Sequence, residues 1–279
     1  MDTNSIKFLK MHGTGNDFIL IDNMSKRILS EQHGAKIAKL LCERKFGVGA
    51  DGLIFIEPPS NPQCQFKWRF FNADGSEAQM CGNGGRCAAR FAYINNIAPE
   101  DMMFETIAGV IKASVKNDIV KLKLPDPQNT KLDIEIDLDD NFTVVHFINT
   151  GVPHVVLFVD NIEEIDVKSI GKKIRFHKEF APEGTNVNFV KLVDKHHICV
   201  RTYERGVEDE TMACGTGSVA SSIITALKKT GKSPINVKTR GGEEIIVHFS
   251  VKDSKIEDVF LEAKTTIVYT GYLDGDIKI

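Results

Sequence analysis

The sequence lacks several features that would assign a protein to a class at once. No hydrophobic run approaches the roughly 18 apolar residues that a membrane-spanning helix needs, and the opening MDTNSIKFLKMHG has no apolar segment typical of secretion signals. An excess of one charge is also absent, because 35 basic and 38 acidic residues give a net charge of -3. We therefore expect a cytoplasmic protein with neither a membrane nor a nucleic-acid partner.

Cysteine pairs with the spacing of metal or redox sites are lacking as well. The six cysteines include no Cys-x-x-Cys pair, so in a chain without a secretion signal we expect reduced thiols rather than a disulfide framework. Four of them have the surroundings of small structural residues: Cys42, Cys64, Cys87 and Cys199. Cys81 and Cys214 need a different explanation.

The pattern Cys-Gly-x-Gly occurs twice, in MCGNGGRCAAR around Cys81 and in ACGTGSVASS around Cys214. The alternating FKWRFF before Cys81 and ICVRTY before Cys214 predict strands. After each cysteine the apolar residues recur at helical spacing. Each cysteine therefore stands at a strand-loop-helix junction.

The spacing of the two motifs predicts two similar halves. Cys81 and Cys214 are 133 residues apart in a chain of 279, so the motif recurs at about half the length. A proline-rich break at Pro125 to Pro127 falls between them. We predict an N-terminal half, residues 1–126, that carries Cys81, and a C-terminal half, residues 127–265, that carries Cys214.

The start of a helix is a favourable place for an anion, because its backbone N–H groups are unpaired and its dipole is positive there. Two such starts facing one another would hold a small anionic substrate between two thiols of lowered pKa. That arrangement suits inversion of a carbon stereocentre, in which one group removes a proton from one face and another returns a proton to the opposite face. The alternative is that both cysteines merely pack.

Further motifs make the chain closely similar to the diaminopimelate epimerase family, over nearly the whole length. They are MHGTGNDFILID, FGVGADGL, FFNADGSEAQMCGNGGRCAARF, NTGVPHVVLFVD, GTNVNFV and TYERGVEDETMACGTGS. The resemblance implies interconversion of LL- and meso-diaminopimelate, in lysine and peptidoglycan precursor synthesis, without pyridoxal phosphate or metal. It also implies a homodimer.

The fold that the resemblance implies is α/β, or α+β, with two pseudo-symmetric domains. In each domain a mostly antiparallel sheet wraps around a central helix, and the last strand, residues 266–279, returns to the first domain. The substrate would lie between the two domains, which would close over it and exclude water.

The resemblance also implies roles for individual residues. Cys81 is expected to act on the LL isomer and Cys214 on the meso isomer. The residues expected to bind substrate through side chains or backbone are Asn16, Asn72, Gly82, Asn83, Asn186, Gly215 and Thr216. Glu204 and Arg205 resemble a pair that engages the substrate, since a guanidinium binds a carboxylate and a carboxylate holds an ammonium. His154, with Glu204, is expected to support catalysis.

Two positions depart from the family pattern, and two other functions stay open. Val152 stands where many family members have an asparagine, and Gly52 stands where some have a glutamine. The polar contacts of those two side chains are therefore expected to be missing here. The chain could instead be a racemase of another amino acid, or a binding protein that uses the helix starts only to hold carboxylates. Oxidation of Cys81 and Cys214 to a disulfide is a further hypothesis.

Overall fold

The computed structural model describes residues 5–25, 33–139, 141–252 and 255–274. The chain divides into two compact units, Met1–Leu122 with Ala263–Ile279, and Lys123–Glu262. None of the helices in the described ranges combines the length and apolar character needed to cross a bilayer.

The first unit is built mainly from strands, with two helices. Its strands are β1 (Ile6–Gly13), β2 (Asn16–Asp22), β3 (Gly52–Glu57), β4 (Phe66–Asn72), β5 (Asp101–Thr106), β6 (Gly109–Lys116), β7 (Ile119–Lys123) and β17 (Thr266–Leu273). Its helices are α1 (Gly34–Cys42) and α2 (Gly82–Ile94). Strand β17 pairs antiparallel with β1, which brings the end of the described chain back to its beginning.

Helix α2 forms the centre of the first unit, in contact with β1, β2, β3, β4 and β6. It is buried on nearly all sides and carries small residues, including Gly84, Gly85, Ala88 and Ala89, which let the strands approach its backbone closely. The core around it contains Trp68 and a cluster of phenylalanine and aliphatic side chains. Helix α1 lies against β3 and β4 in a separate apolar cluster.

The second unit is likewise built mainly from strands, with two helices. Its strands are β8 (Gln128–Asp137), β9 (Phe142–Asn149), β10 (Pro153–Phe158), β11 (Asn186–Asp194), β12 (His197–Glu204), β13 (Asp209–Thr211), β14 (Ile235–Lys238), β15 (Glu244–Lys252) and β16 (Lys255–Lys264). Its helices are α3 (Val167–Arg175) and α4 (Gly215–Lys228), with a short 3-10 turn at Lys178–Phe180. Helix α4 is the buried central one.

Strand pairing repeats from one unit to the other. In the first unit β1 to β5 pair successively as antiparallel, parallel, antiparallel and parallel, and β5 then pairs antiparallel with β6. In the second unit β9, β10, β11, β12, β14 and β15 pair in the same sequence of directions. The predicted fold class, two similar mostly antiparallel sheets around central helices, is confirmed.

Candidate active site

The first predicted cysteine stands at the start of the central helix of its unit. Cys81 is the N-cap of α2, in an extended backbone conformation, and the Gly84 N–H donates to its sulfur at 3.5 Å. A helix start leaves several N–H groups without partners inside the helix. Cys81 therefore sits where backbone donors converge, as the sequence predicted.

Two predicted asparagines adjoin Cys81. The Asn16 Oδ1 atom lies 3.6 Å from the Cys81 sulfur and accepts from Asn83 Nδ2 at 3.4 Å. The Asn16 Nδ2 atom donates to Asp51 Oδ2 at 2.7 Å. Because a carboxylate only accepts hydrogen bonds, Asp51 sets the orientation of the Asn16 carboxamide, with its oxygen toward Cys81.

A charged cluster supports Asp51. Arg44 bridges Asp17 and Asp51, at 3.0 and 3.1 Å, and Lys10 forms an ion pair with Asp17 at 2.7 Å. Burial acts to raise the pKa of Asp17, but the hydrogen bond and charge of Lys10 hold it below its usual value. Asp51 was not among the residues predicted from the sequence. Its position in the sequence, next to Gly52 at the start of a buried strand, could have indicated it as a site residue.

A buried arginine holds Asn83. Arg86 is 0% exposed, and its NH2 group donates to Asn83 Oδ1 at 2.9 Å and to Thr14 Oγ1 at 3.2 Å. The Thr14 hydroxyl also donates to Asn83 Oδ1 at 2.9 Å. Because Arg86 and Thr14 both donate to the Asn83 oxygen, the Nδ2 group of Asn83 is directed toward Asn16. Arg86, inside CGNGGR, is a second residue that the sequence analysis missed.

The remaining predicted asparagine of this unit is held in its own turn. Asn72 ends β4, and its Nδ2 donates to Ser76 Oγ at 2.9 Å. Gly52, which replaces a glutamine of some family members, is paired opposite Asn72. A Cβ at Gly52 would lie 2.4 Å from the Phe70 ring, so packing of Phe70 excludes a side chain there.

Cys214 occupies the corresponding place in the second unit, as the N-cap of α4. The Thr216 hydroxyl lies 3.6 Å from its sulfur, and the Thr216 carbonyl accepts from the buried Thr150 hydroxyl at 3.0 Å. Thr150 N–H in turn donates to the Val152 carbonyl. Val152 therefore contributes through its backbone, where family members with asparagine offer a side chain.

The electrostatics of Cys214 differ from the expectation. Burial raises the pKa of this thiol to about 12, and the charge of Glu204 acts in the same direction. Hydrogen bonds from Thr216 and the helix start oppose the increase but do not overcome it. The predicted lowering of the pKa is therefore wrong for Cys214 in this structure, and it is a protonated thiol at neutral pH.

The two predicted charged residues lie at the end of β12, Glu204 as its last residue and Arg205 directly after it. Burial raises the pKa of the Glu204 carboxyl above its usual value. Arg205 donates from its backbone N–H to Asn186 Oδ1 at 2.9 Å, while Asn186 Nδ2 donates to the Pro153 carbonyl, also at 2.9 Å. Asn186 thus braces the Arg205 turn against the strand that contains His154.

His154 lies inside the second unit, in β10, paired with Asn186 of β11. It is 0% exposed, and burial together with the charge of Arg205 lowers its pKa to about 3. Asn188 Nδ2 lies 3.2 Å from its Nδ1 atom. The sequence analysis missed Asn188, whose signal was its place two residues after Asn186, on the same face of the strand.

The structure explains the repeated Cys-Gly-x-Gly pattern by two different roles for its glycines. A Cβ on Gly82 would meet no described atom within 4 Å, and one on Gly215 would meet only Leu261, at 3.3 Å. A Cβ on Gly84 would lie 3.2 Å from Ile54, and one on Gly217 only 2.3 Å from Asn188 Oδ1. Gly82 therefore leaves the start of α2 open to a ligand, whereas Gly84 and Gly217 let core atoms approach the backbone, and Gly215 is itself close to Leu261.

The chemistry available at each helix start is that of a thiol among hydrogen-bond donors. Each of the six cysteines, all among the described residues, is a thiol rather than half of a disulfide. Within those same ranges, no group of three or more histidine, cysteine and acidic side chains could jointly hold a metal ion. Each unit therefore offers one acid–base group beside backbone N–H groups.

Solved structures define the class of fold. A PhzF-family phenazine biosynthesis protein from Bacillus anthracis superposes with a TM-score of 0.71 at 16% identity, covering 98% of this chain and all of that one. A probable proline racemase from Agrobacterium radiobacter gives 0.69 at 15% identity, covering 97% of this chain and 93% of that one. The chain has the fold of a class that includes racemases and epimerases.

Sequence comparison identifies the family within that class. The family profile named Diaminopimelate epimerase matches residues 8–126 and 146–259. Diaminopimelate epimerase of Aquifex aeolicus is 46% identical over 98% of this chain and 99% of its own, and that of Hydrogenobaculum is 47% identical over 96% and 98%. The chain belongs to the diaminopimelate epimerase family.

Proposed function

We propose that this chain is an epimerase that interconverts LL-2,6-diaminopimelate and meso-diaminopimelate, a step toward lysine and peptidoglycan precursors. The observation that carries the proposal is the similarity of about half the residues to diaminopimelate epimerases over almost the full length. Both cysteines also stand at the N-caps of central helices, where a proton-transfer step would need them.

The proposed reaction is two proton transfers at one α-carbon. For the LL isomer, the Cys81 thiolate takes the α-proton, so a C–H bond breaks and an S–H bond forms. The electron pair stays on the substrate as a planar carbanion. The Cys214 thiol then gives its proton to the opposite face, and the roles exchange in the meso-to-LL direction.

The protonation state of Cys214 supports this assignment. Burial and the charge of Glu204 raise its thiol pKa and so favour the protonated form, which the LL-to-meso direction uses. The helix starts at Gly82 and Gly215 would bind the carboxylate of the reacting centre and stabilise negative charge that develops on it. Because a Cβ on Gly82 would meet no described atom within 4 Å, a carboxylate has room to approach the backbone at the start of α2.

The far end of the substrate would be bound by charged and amide groups. We assign Glu204 to its ammonium and Arg205 to its carboxylate, with His154 supporting catalysis. The amides assigned to substrate contact are Asn16, Asn72, Asn83 and Asn186. Asn16 offers an oxygen, because Asp51 engages its nitrogen, and so suits an ammonium better than a carboxylate.

We also propose the cellular setting that the resemblance implies: a homodimer in the cytoplasm. The two domains would be 1–126 and 127–265, with the final strand completing the first. Diaminopimelate would be its small-molecule partner, bound without pyridoxal phosphate or metal.

The test is proton NMR of each isomer with reduced protein in deuterated buffer containing a chelator and no pyridoxal phosphate. A two-thiol mechanism places a solvent deuteron on the product while the remaining substrate keeps its proton during early turnover, because different groups remove and return the proton. Cys81→Ala and Cys214→Ala should each abolish interconversion. Cys199→Ala, which removes a partly buried thiol in β12, is the matched control and should keep activity.

The outcomes separate the alternatives. Deuterium entering substrate and product together would refute the assignment of separate donor and acceptor groups. No interconversion by folded, reduced protein would reject diaminopimelate as substrate, and other amino acids would then be screened for racemisation. Binding without exchange for every amino acid would favour a carboxylate-binding protein.

A further inference from the structure

His154 uses one of its two ring nitrogens inside the protein. Its Nδ1 atom lies 3.2 Å from Asn188 Nδ2. Its Nε2 atom is buried and has no hydrogen-bond partner among the described residues. A buried polar group without a partner costs stability, so this nitrogen calls for an explanation.

Asn188 determines which ring nitrogen carries the proton. Its Nδ2 group donates to the Val155 backbone carbonyl at 2.9 Å, and its Oδ1 atom accepts from the Thr202 hydroxyl at 3.0 Å. A carbonyl can only accept, so the nitrogen end of the amide must face Val155 and, beside it, His154 Nδ1. Nδ1 is then the acceptor, and a neutral ring carries its proton on Nε2.

The ring is neutral over the physiological range. Burial is the main reason that the pKa of His154 falls to about 3, and the positive charge of Arg205 adds to it. The Nδ1 lone pair is engaged by Asn188, so the ring offers a donor at Nε2 and no base. A fixed donor of this kind stabilises negative charge on a sulfur or a carboxylate.

Asn188 also contacts the first turn of α4. A Cβ at Gly217 would lie 2.3 Å from Asn188 Oδ1 and 3.2 Å from the Cys214 sulfur. Asn188 is 0% exposed, and its carboxamide contacts both His154 Nδ1 and Gly217 of α4. Its carboxamide thus links the two groups that the proposed function places near the reaction.

We propose that Asn188 is a positioning residue, which holds His154 in the Nε2–H tautomer so that the buried ring presents a hydrogen-bond donor, not an acceptor, at Nε2. The catalytic meaning of this inference rests on the proposed epimerase function. The tautomer itself is a property of the folded chain and can be measured without substrate.

The test combines NMR with kinetics. In uniformly 15N-labelled protein, long-range proton–nitrogen spectra distinguish the tautomers, and His154→Gln assigns the signals. We expect Nε2–H at neutral pH, with a coupling across the hydrogen bond from Asn188 Nδ2 to His154 Nδ1. Asn188→Leu, of similar size but without a donor, should mix the tautomers and lower kcat by roughly 10- to 100-fold, the usual effect of losing a partner that orients a histidine. KM should change much less.

Thr202→Val is the matched control. It removes a buried hydrogen bond to the same carboxamide but leaves the bond to Val155, so the tautomer should stay Nε2–H. An Nδ1–H or doubly protonated ring in the unmodified protein overturns the inference, even if Asn188→Leu does not fold. So does a folded Asn188→Leu with unchanged tautomer and kcat. If the tautomer is as expected but diaminopimelate is not epimerised, the positioning of His154 stands and the proposed function fails.

Discussion

Replacement of Gly217 by alanine should destabilise the second unit, although alanine is the better helix former. The new Cβ would lie 2.3 Å from Asn188 Oδ1, whereas ordinary contacts begin near 3.4 Å. The buried carboxamide would have to move by about an ångström, which weakens its bonds to Thr202 and Val155. Overpacking costs about 1–3 kcal/mol and a lost hydrogen bond about 1 kcal/mol. Better helix propensity offsets up to about 1 kcal/mol.

The net expectation is a loss of about 2 kcal/mol of unfolding free energy for Gly217→Ala. The equivalent glycine of the first unit is a matched comparison, because a Cβ on Gly84 would meet only side-chain atoms at 3.2 Å and beyond. Gly84→Ala should therefore cost about 1 kcal/mol or less. Gly82→Ala, with no described atom within 4 Å, should be close to neutral.

Urea unfolding measures these differences. The single tryptophan, Trp68, lies in the first unit, so its fluorescence follows that unit, while far-ultraviolet circular dichroism follows both. Gly217→Ala should lower the midpoint seen by circular dichroism. An unchanged or higher midpoint for Gly217→Ala, or a greater loss for Gly84→Ala, would refute the packing argument.

Three further predictions concern charge. Glu204→Gln removes a negative charge that raises the pKa of the Cys214 thiol, so Cys214 should be alkylated at lower pH than in the parent protein. Mass spectrometry measures the alkylation of Cys214 as a function of pH, and an unchanged pH profile would contradict the prediction. Asp51→Asn removes the carboxylate that orients the Asn16 carboxamide, so that this amide can rotate away from its position facing Cys81. KM should then rise roughly fivefold, equivalent to about 1 kcal/mol. The control is Asp101→Asn, at an exposed position, which should leave KM unchanged. Burial raises the pKa of Cys87 from 9.0 to about 12. The Cys87 thiol therefore ionises first in the unfolded state, and the free energy of unfolding falls as pH rises above 9, by up to about 1.4 kcal/mol per pH unit. Cys87→Ala should show a smaller fall. If the urea midpoints of the parent and of Cys87→Ala decrease equally between neutral pH and pH 10, the prediction is contradicted.

The pattern of residues along the chain was sufficient to predict the helices that begin at the two cysteines. Capping and helical periodicity are local properties, so α2 and α4 begin at Gly82 and Gly215, where the spacing of the apolar residues predicted them. Recurrence of the motif also predicted two similar halves, because a repeated sequence forms repeated pairing. The substrate class came from resemblance, since no periodicity specifies which amino acid is bound.

The surroundings of those helix starts depended on residues far apart in the chain. Asp51 meets Asn16 because β2 and β3 pair in parallel, and Arg86 reaches Thr14 across the core. Likewise, the pairing of β10 with β11 brings Asn188 to His154. Such contacts fix which end of the Asn16 amide faces the Cys81 thiol and which ring nitrogen of His154 accepts a hydrogen bond.

The sequence by itself therefore determined the two thiols, the helices that carry them and the repeat that relates them, because these follow from local spacing. Tertiary structure alone decided the pKa of Cys214 and the different roles of glycines that look alike in the sequence. A pKa depends on burial and on charges brought near by folding. Whether a Cβ fits depends on the atom opposite, which for Gly217 is the amide oxygen of Asn188 on another strand.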